Sequence, residues 1–108
     1  MKKYGSPKFY KYLDEMAETH SRKNHDYSVA SDPLSNFKEC ARQVGCTPFQ
    51  VVHMHLANKM ARIQQLAQKE NLVKGEGLID SLMDLAVYAV LARIILENEG
   101  KVRRNKSK

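Results

Sequence analysis

Between Leu78 and Leu96 the chain is apolar on almost every side, interrupted only by Asp80, Ser81, Asp84, Tyr88 and Arg93. A helix at the surface of a globular protein carries one apolar stripe and a polar back. A segment that is apolar all round has to be central in a bundle, or covered in part by a second subunit. With 108 residues in the chain, few other elements exist to surround it. The feature selects an all-α, four-helix bundle-like fold that assembles as a homo-oligomer, a dimer or larger, with this helix at or near the contact. Leu78, Leu82, Leu85, Leu91 and Ile95 are the residues that three short helices of the same chain are not expected to cover together.

The rest of the chain supplies the other helices. Ser6-Pro7 is a start signal, a capping hydroxyl followed by proline at the first helical position. Phe9, Leu13, Met16, Ala17 and His20 then recur at helical spacing, and the pattern decays at Lys23-Asn24. Asp32-Pro33 reads as a second start, with Phe37, Cys40, Ala41 and Val44 as the stripe and Gly45 as the stop. Thr47-Pro48-Phe49-Gln50 has the spacing of a capping box, and Val52, Leu56, Met60, Ile63 and Ala67 follow on one face. A loop at Lys74-Gly75-Glu76-Gly77 opens the last helix, which stops near Gly100. The spacing thus predicts helices near 7–24, 33–44, 48–70 and 77–98 in a single domain, ordered over about 6–99. No window alternates with period two, so no strand is expected.

Composition narrows the function classes. The net charge of +6 invites a nucleic-acid reading, yet Lys101, Arg103, Arg104, Lys106 and Lys108 all lie in the terminal eight residues. Without these five the balance is 13 basic to 12 acidic, and without Lys2 and Lys3 as well the body carries −1. A DNA reader carries its charge on a folded face. The tail at 100–108 therefore reads as a solubilising segment, with loose, salt-sensitive phosphate contact as the extent of nucleic-acid binding. Even with Tyr88 counted as apolar, the longest apolar run, Leu85 to Ala92, is far short of a bilayer span, and no apolar stretch follows the charged N-terminus, so no membrane partner and a cytoplasmic location are expected. Cys40 and Cys46, without a second pair, do not make a zinc site and read as small packing residues.

The residues able to do chemistry lie on the last two helices. Asp80 and Asp84 share a face, with Glu76 before and Tyr88 after at the same spacing. Carboxylates stacked on a nearly apolar helix need a cation. His55, Lys59 and Arg62 form a basic stripe on the preceding helix. Two accounts stand side by side: Lys59 and Arg62 pair structurally with Asp80 and Asp84, or the four line a polar pocket where carboxylates hold a metal such as magnesium and the basic groups hold phosphate. His20, Lys23, Asn24, Asp26 and Tyr27 add a cluster suited to anions or nucleobases, although cations there also complement the end of the first helix. His53 and His55 lie on different sides of their helix and do not grip one metal.

Four motifs, taken in order, resemble a known family: His20 with Lys23, Asn24, Asp26 and Tyr27; Asp32-Pro33-Leu34-Ser35-Asn36-Phe37; Asn58-Lys59 with Arg62; and Glu76, Asp80, Asp84-Leu85-Ala86 and Tyr88. They resemble a small family of bacteriophage and prophage proteins associated with nucleotide modification, itself similar to the MazG-like all-α nucleoside triphosphate pyrophosphatases. The resemblance spans residues 16–97. It implies a MazG-like bundle, located in the cytoplasm of a host bacterium, that acts on nucleoside triphosphates with magnesium. It assigns Glu76, Asp80 and Asp84 to the second acidic, catalytic and metal-holding cluster. Nucleotide contacts are expected at His20, Lys23, Asn24, Asp26, Tyr27, Asn36, Lys59, Arg62 and Tyr88 of these motifs, and at His55 of the basic stripe. The chain departs from MazG-like enzymes in lacking the first acidic motif: the third helix offers Asn58, Lys59 and Arg62 with no Glu-x-x-Glu, and position 58, often Asp in the related phage proteins, is Asn.

Three readings follow. In the first the protein is a magnesium-dependent nucleotide pyrophosphohydrolase, with Lys59, Arg62 and Lys23 neutralising phosphate. In the second it binds nucleotides, or nucleotide signals of host defence systems, without cleaving them. In the third it is an interaction module that docks on a host protein through an exposed helix.

Overall fold

The computed structural model describes residues 3–27, 32–69 and 76–100, the side chains of Tyr27 and Glu76 excepted. Four helices, α1 (Pro7–Tyr27), α2 (Ser35–Val44), α3 (Pro48–Ala67) and α4 (Glu76–Asn98), account for most of these residues. The protein is all-α, as expected, and the described residues contain no extended strand. No helix of the described residues is long and apolar enough to cross a membrane. The predicted basic tail at 101–108 and most of the loop before α4 lie outside the described residues. The chain forms two compact units, residues 1–33 and residues 34–108.

In the first unit the chain turns at Gly5, whose φ of +94° is a region that L side chains avoid. Ser6 then caps α1 as predicted: its Oγ accepts the Lys8 N–H at 3.2 Å, with Pro7 at the first helical position. The helix runs to Tyr27, beyond the decay of the apolar pattern, because nothing from Lys23 to Tyr27 breaks a helix even though nothing there demands burial. Asn24 Nδ2 donates to the Pro33 carbonyl at 2.6 Å and ties the end of the unit to α1.

The second unit corrects two expectations. The helix predicted from Asp32-Pro33 starts at Ser35 instead. Pro33 and Leu34 form a turn, and the Leu34 carbonyl accepts the N–H groups of Phe37 (3.1 Å) and Lys38 (3.2 Å). Proline's fixed φ suits such a turn as well as a first helical turn, and this turn buries Leu34. Only Phe37 and Ala41 of α2 are buried, whereas Cys40 and Val44 are exposed, so Cys40 is not a packing residue. Gly45 ends α2 in the left-handed conformation, φ +74°, with the Cys46 N–H returning to the Ala41 carbonyl.

The capping box at the start of α3 is complete. Thr47 Oγ1 accepts the Gln50 N–H at 3.1 Å, and Gln50 Oε1 accepts the Thr47 N–H at 2.9 Å. From there α3 and α4 run antiparallel in a constant register: the Leu66 side chain meets Gly77, Lys59 meets Asp84 and His55 meets Tyr88. Gly77 packs on Leu66, whose Cδ1 lies 3.4 Å from where a Cβ would stand, an ordinary van der Waals distance. The core gathers Val51, Val52, Leu91, Ala92 and Ile95 with Leu34, Phe37 and Ala41. On α3 the seam also runs through His55 and Lys59, and of the expected stripe Val52 is buried and Leu56 and Ile63 are half-buried, whereas Met60 and Ala67 are exposed.

The last helix is covered more fully within its own chain than expected. Leu91 and Ile95 are buried, and Leu78 and Leu85 are half-buried. What stays outside is the side turned away from the core: Ile79 (57% exposed), Leu82, Val90 (55%) and Ile94.

Candidate functional site

The α3/α4 register stacks two polar pairs, one turn apart. Lys59 Nζ stands 3.1 Å from Asp84 Oδ2, and the two side chains are 25% and 27% exposed, so water reaches both. One turn back along α3 and one turn on along α4, the His55 and Tyr88 rings stack face to face, with centroids 4.7 Å apart and planes 4° from parallel. Phe37 of α2 closes the arrangement edge-on, 6.2 Å from His55 and 6.4 Å from Tyr88, at 86° to both planes. Edge-to-face contact sets a ring's positive rim against a neighbour's negative face, which holds the stack in orientation.

The stack also sets the charge of His55. Burial lowers its pKa below the usual 6.5, and the neighbouring Lys59 charge lowers it further. At neutral pH the imidazole is uncharged, and the Lys59 ammonium beside it is held by Asp84.

Half of the structural pairing anticipated from the sequence is realised. Lys59 pairs with Asp84, but among the described residues neither Asp80 nor Arg62 forms an ion pair, and both are exposed. The register is the reason: the step that sets Lys59 against Asp84 sets the buried Ser81, not Asp80, against Arg62. The Arg62 guanidinium instead reaches the start of α4, with Nη2 3.9 Å from where a Gly77 Cβ would stand.

The structure therefore brings together four of the residues singled out from the sequence, His55, Lys59, Asp84 and Tyr88. Asn36 is exposed on α2. His20, Lys23, Asn24 and Asp26 belong to the first unit: His20 and Asn24 are half-buried, and Lys23 and Asp26 are exposed. Asn24 is committed to Pro33, and Asp26 lies beside His25, 3.5 Å away. The Tyr27 side chain lies outside the described residues. So does that of Glu76, which opens α4. Among the described residues no three His, Cys, Asp or Glu side chains come together as metal ligands. Asp80 and the Lys59-bound Asp84 do not by themselves make up a magnesium site. Phe37 is the residue that sequence reasoning missed: it reads as one member of an apolar stripe, and no spacing shows that it braces an aromatic pair.

Comparison with protein-family models, with curated proteins and with solved structures found no match.

Proposed function

We propose that the protein is a nucleotide-handling protein of bacteriophage type that binds a nucleotide along the α3/α4 seam. Phosphate oxygens meet Lys59 and Arg62, and the base is recognised beside His55 and Tyr88. The observation that carries this reading is the water-accessible Lys59–Asp84 pair set one turn from the His55–Tyr88 stack. A nucleotide presents the same two features, a multiply charged anion and a flat ring, a few ångströms apart. Lys59 offers the ammonium, Arg62 offers a guanidinium fork that forms no ion pair among the described residues and is suited to phosphate, and the neutral imidazole offers polar edges without charge.

The second reading, magnesium-dependent pyrophosphohydrolysis, is favoured by Asp80. It is an exposed carboxylate with no ion pair among the described residues, one turn from Asp84 on the helix that Glu76 opens. Self-association belongs to the proposal as well, with a second copy covering the outward apolar side of α4.

Titration calorimetry of the full chain with ATP, GTP and the deoxynucleoside triphosphates, with and without magnesium, tests both readings. Binding is expected, weakened about tenfold or more by Lys59→Met through loss of a charge-assisted contact, with nucleotide recovered intact on chromatography. Pyrophosphate release that Asp80→Asn abolishes would establish the second reading in place of the first. No heat with any nucleotide overturns both.

A further inference from the structure

The start of the first unit carries a cluster that the α3/α4 seam does not use. Of the eight Phe and Tyr residues in the chain, four lie between positions 4 and 12: Tyr4, Phe9, Tyr10 and Tyr12. Lys3, Lys8 and Lys11 are interleaved with them, and no acidic residue precedes Asp14. The fold organises this segment. The turn at Gly5 folds the chain back so that Tyr10 Oη donates to the Tyr4 carbonyl at 2.6 Å. Lys3 Nζ then stands 4.9 Å from the centroid of the Tyr10 ring, and Phe9 meets Tyr10 edge-on at 5.5 Å. Lys11 Nζ lies 5.8 Å from the Tyr12 ring. Tyr4, Phe9 and Tyr12 nevertheless remain 78%, 59% and 42% exposed. Large rings grouped at the surface mark a contact site, and rings interleaved with cations fit a partner that is both flat and anionic.

We infer that this cluster is a platform for single-stranded nucleic acid, on which bases stack against Tyr4, Phe9 and Tyr12 while phosphates meet Lys3, Lys8 and Lys11. The inference is independent of the nucleotide site, and it puts nucleic-acid contact on a folded surface where composition alone placed it in the C-terminal tail. Base–aromatic stacking tolerates any sequence, so little base preference is expected. Charge distribution favours this partner over an anionic lipid surface. A helix lying flat on a bilayer would bring Asp14, Glu15 and Glu18 to the headgroups along with the lysines. A strand of a few nucleotides needs only the acid-free start of α1.

Fluorescence anisotropy of a labelled oligothymidylate of about 12 nucleotides, a length within the range of such platforms, tests the inference on the full chain. Binding at low salt is expected. Phe9→Ala with Tyr12→Ala should weaken it about tenfold or more through lost stacking. Tyr4→Ala, which lies outside any helix and leaves α1 intact, should weaken it in the same direction. Replacing Lys3, Lys8 and Lys11 together by Gln should lower the slope of log affinity against log salt by about 2, at about 0.7 per phosphate contact. Failure of the wild-type chain to bind overturns the inference. So does binding unaffected by both ring variants, or binding that disappears only when the basic residues of 101–108 become Gln. Sedimentation with phosphatidylserine vesicles while the oligonucleotide is ignored also overturns it.

Discussion

The Glu99 carboxylate accepts the backbone N–H of Phe49 at 3.2 Å, so the first turn of α3 is completed by a side chain from beyond the end of α4. A helix start leaves its first N–H groups without partners inside the helix. Here Thr47 takes the N–H of Gln50 and Glu99 takes that of Phe49. The carboxylate also sits where the helix dipole is positive, so one side chain acts as an acceptor, a charge and a clasp between the two helices.

Removing that clasp should be measurable. Glu99→Ala is expected to destabilise the protein by about 1 kcal/mol, and Glu99→Gln, which keeps an acceptor, by less. Urea denaturation followed by circular dichroism reads both. Equal stability of all three chains would mean that water replaces the carboxylate without loss.

The Lys59–Asp84 pair is partly wet, which bounds its contribution. Coulomb energy is screened there, so Lys59→Met and Asp84→Asn should each cost about 1 kcal/mol, near the upper end for accessible pairs and below the 3–5 kcal/mol of a dry one. The double variant should cost less than the two added together, because the residues share one interaction. Asp80→Asn, at an exposed side chain with no ion pair among the described residues, should leave the urea midpoint unchanged. A loss at Asp80 as large as at Asp84 would contradict this geometry.

His55 should leave a mark on the pH dependence. Its folded-state pKa is lower than the usual 6.5, first by burial and then by Lys59. Between the folded value and 6.5 the unfolded chain therefore binds the extra proton, and stability rises with pH in that window. Conversely, stability falls as the solution is acidified through 6.5, and this contribution levels off once the pH passes below the folded value. His55→Gln should flatten that part of the profile. Lys59→Met, which removes the second cause, should narrow the window by raising its acid edge towards 6.5. Urea midpoints taken from about pH 7.5 downward check the sign, and a variant as acid-sensitive as the wild type in that range would refute it.

The two sides of α4 should respond oppositely to substitution. Ile95 is buried against α3, and Ile95→Ala should cost about 2–5 kcal/mol. Leu82 faces outward, so Leu82→Glu should change stability by no more than about 0.5 kcal/mol in the monomer. It should also remove any concentration-dependent sedimentation. A wild-type chain that sediments as a monomer at high micromolar concentration would argue against a second copy on that side.

What could be seen in advance followed the reach of each signal. The capping box at Thr47 and the stop at Gly45 act over a few residues, and both were legible as they occur. Asp32-Pro33 was ambiguous because proline serves a turn and a helix start with the same φ, and only the burial of Leu34 decides between them. The all-round apolarity of α4 located the central helix but not its covered side, which depends on where α3 and α2 lie. For the candidate site, spacing put Lys59 near Asp84 and Asp80 alike, and the interhelical register, invisible in either helix alone, chose Asp84. The roles of Phe37 and Glu99 rest on partners many positions away in sequence, so no local pattern marks them.

The matched steps of α3 and α4 have a consequence for how such a chain can vary in length. Deleting one residue between Gly77 and Asp84 would swing everything beyond it by about 100° around α4. Asp84 would leave Lys59 and Tyr88 would leave His55 in the same event, whatever the composition of the segment removed. The number of residues from Gly77 to Tyr88 is therefore held as tightly as their chemistry, because both pairs read the same count.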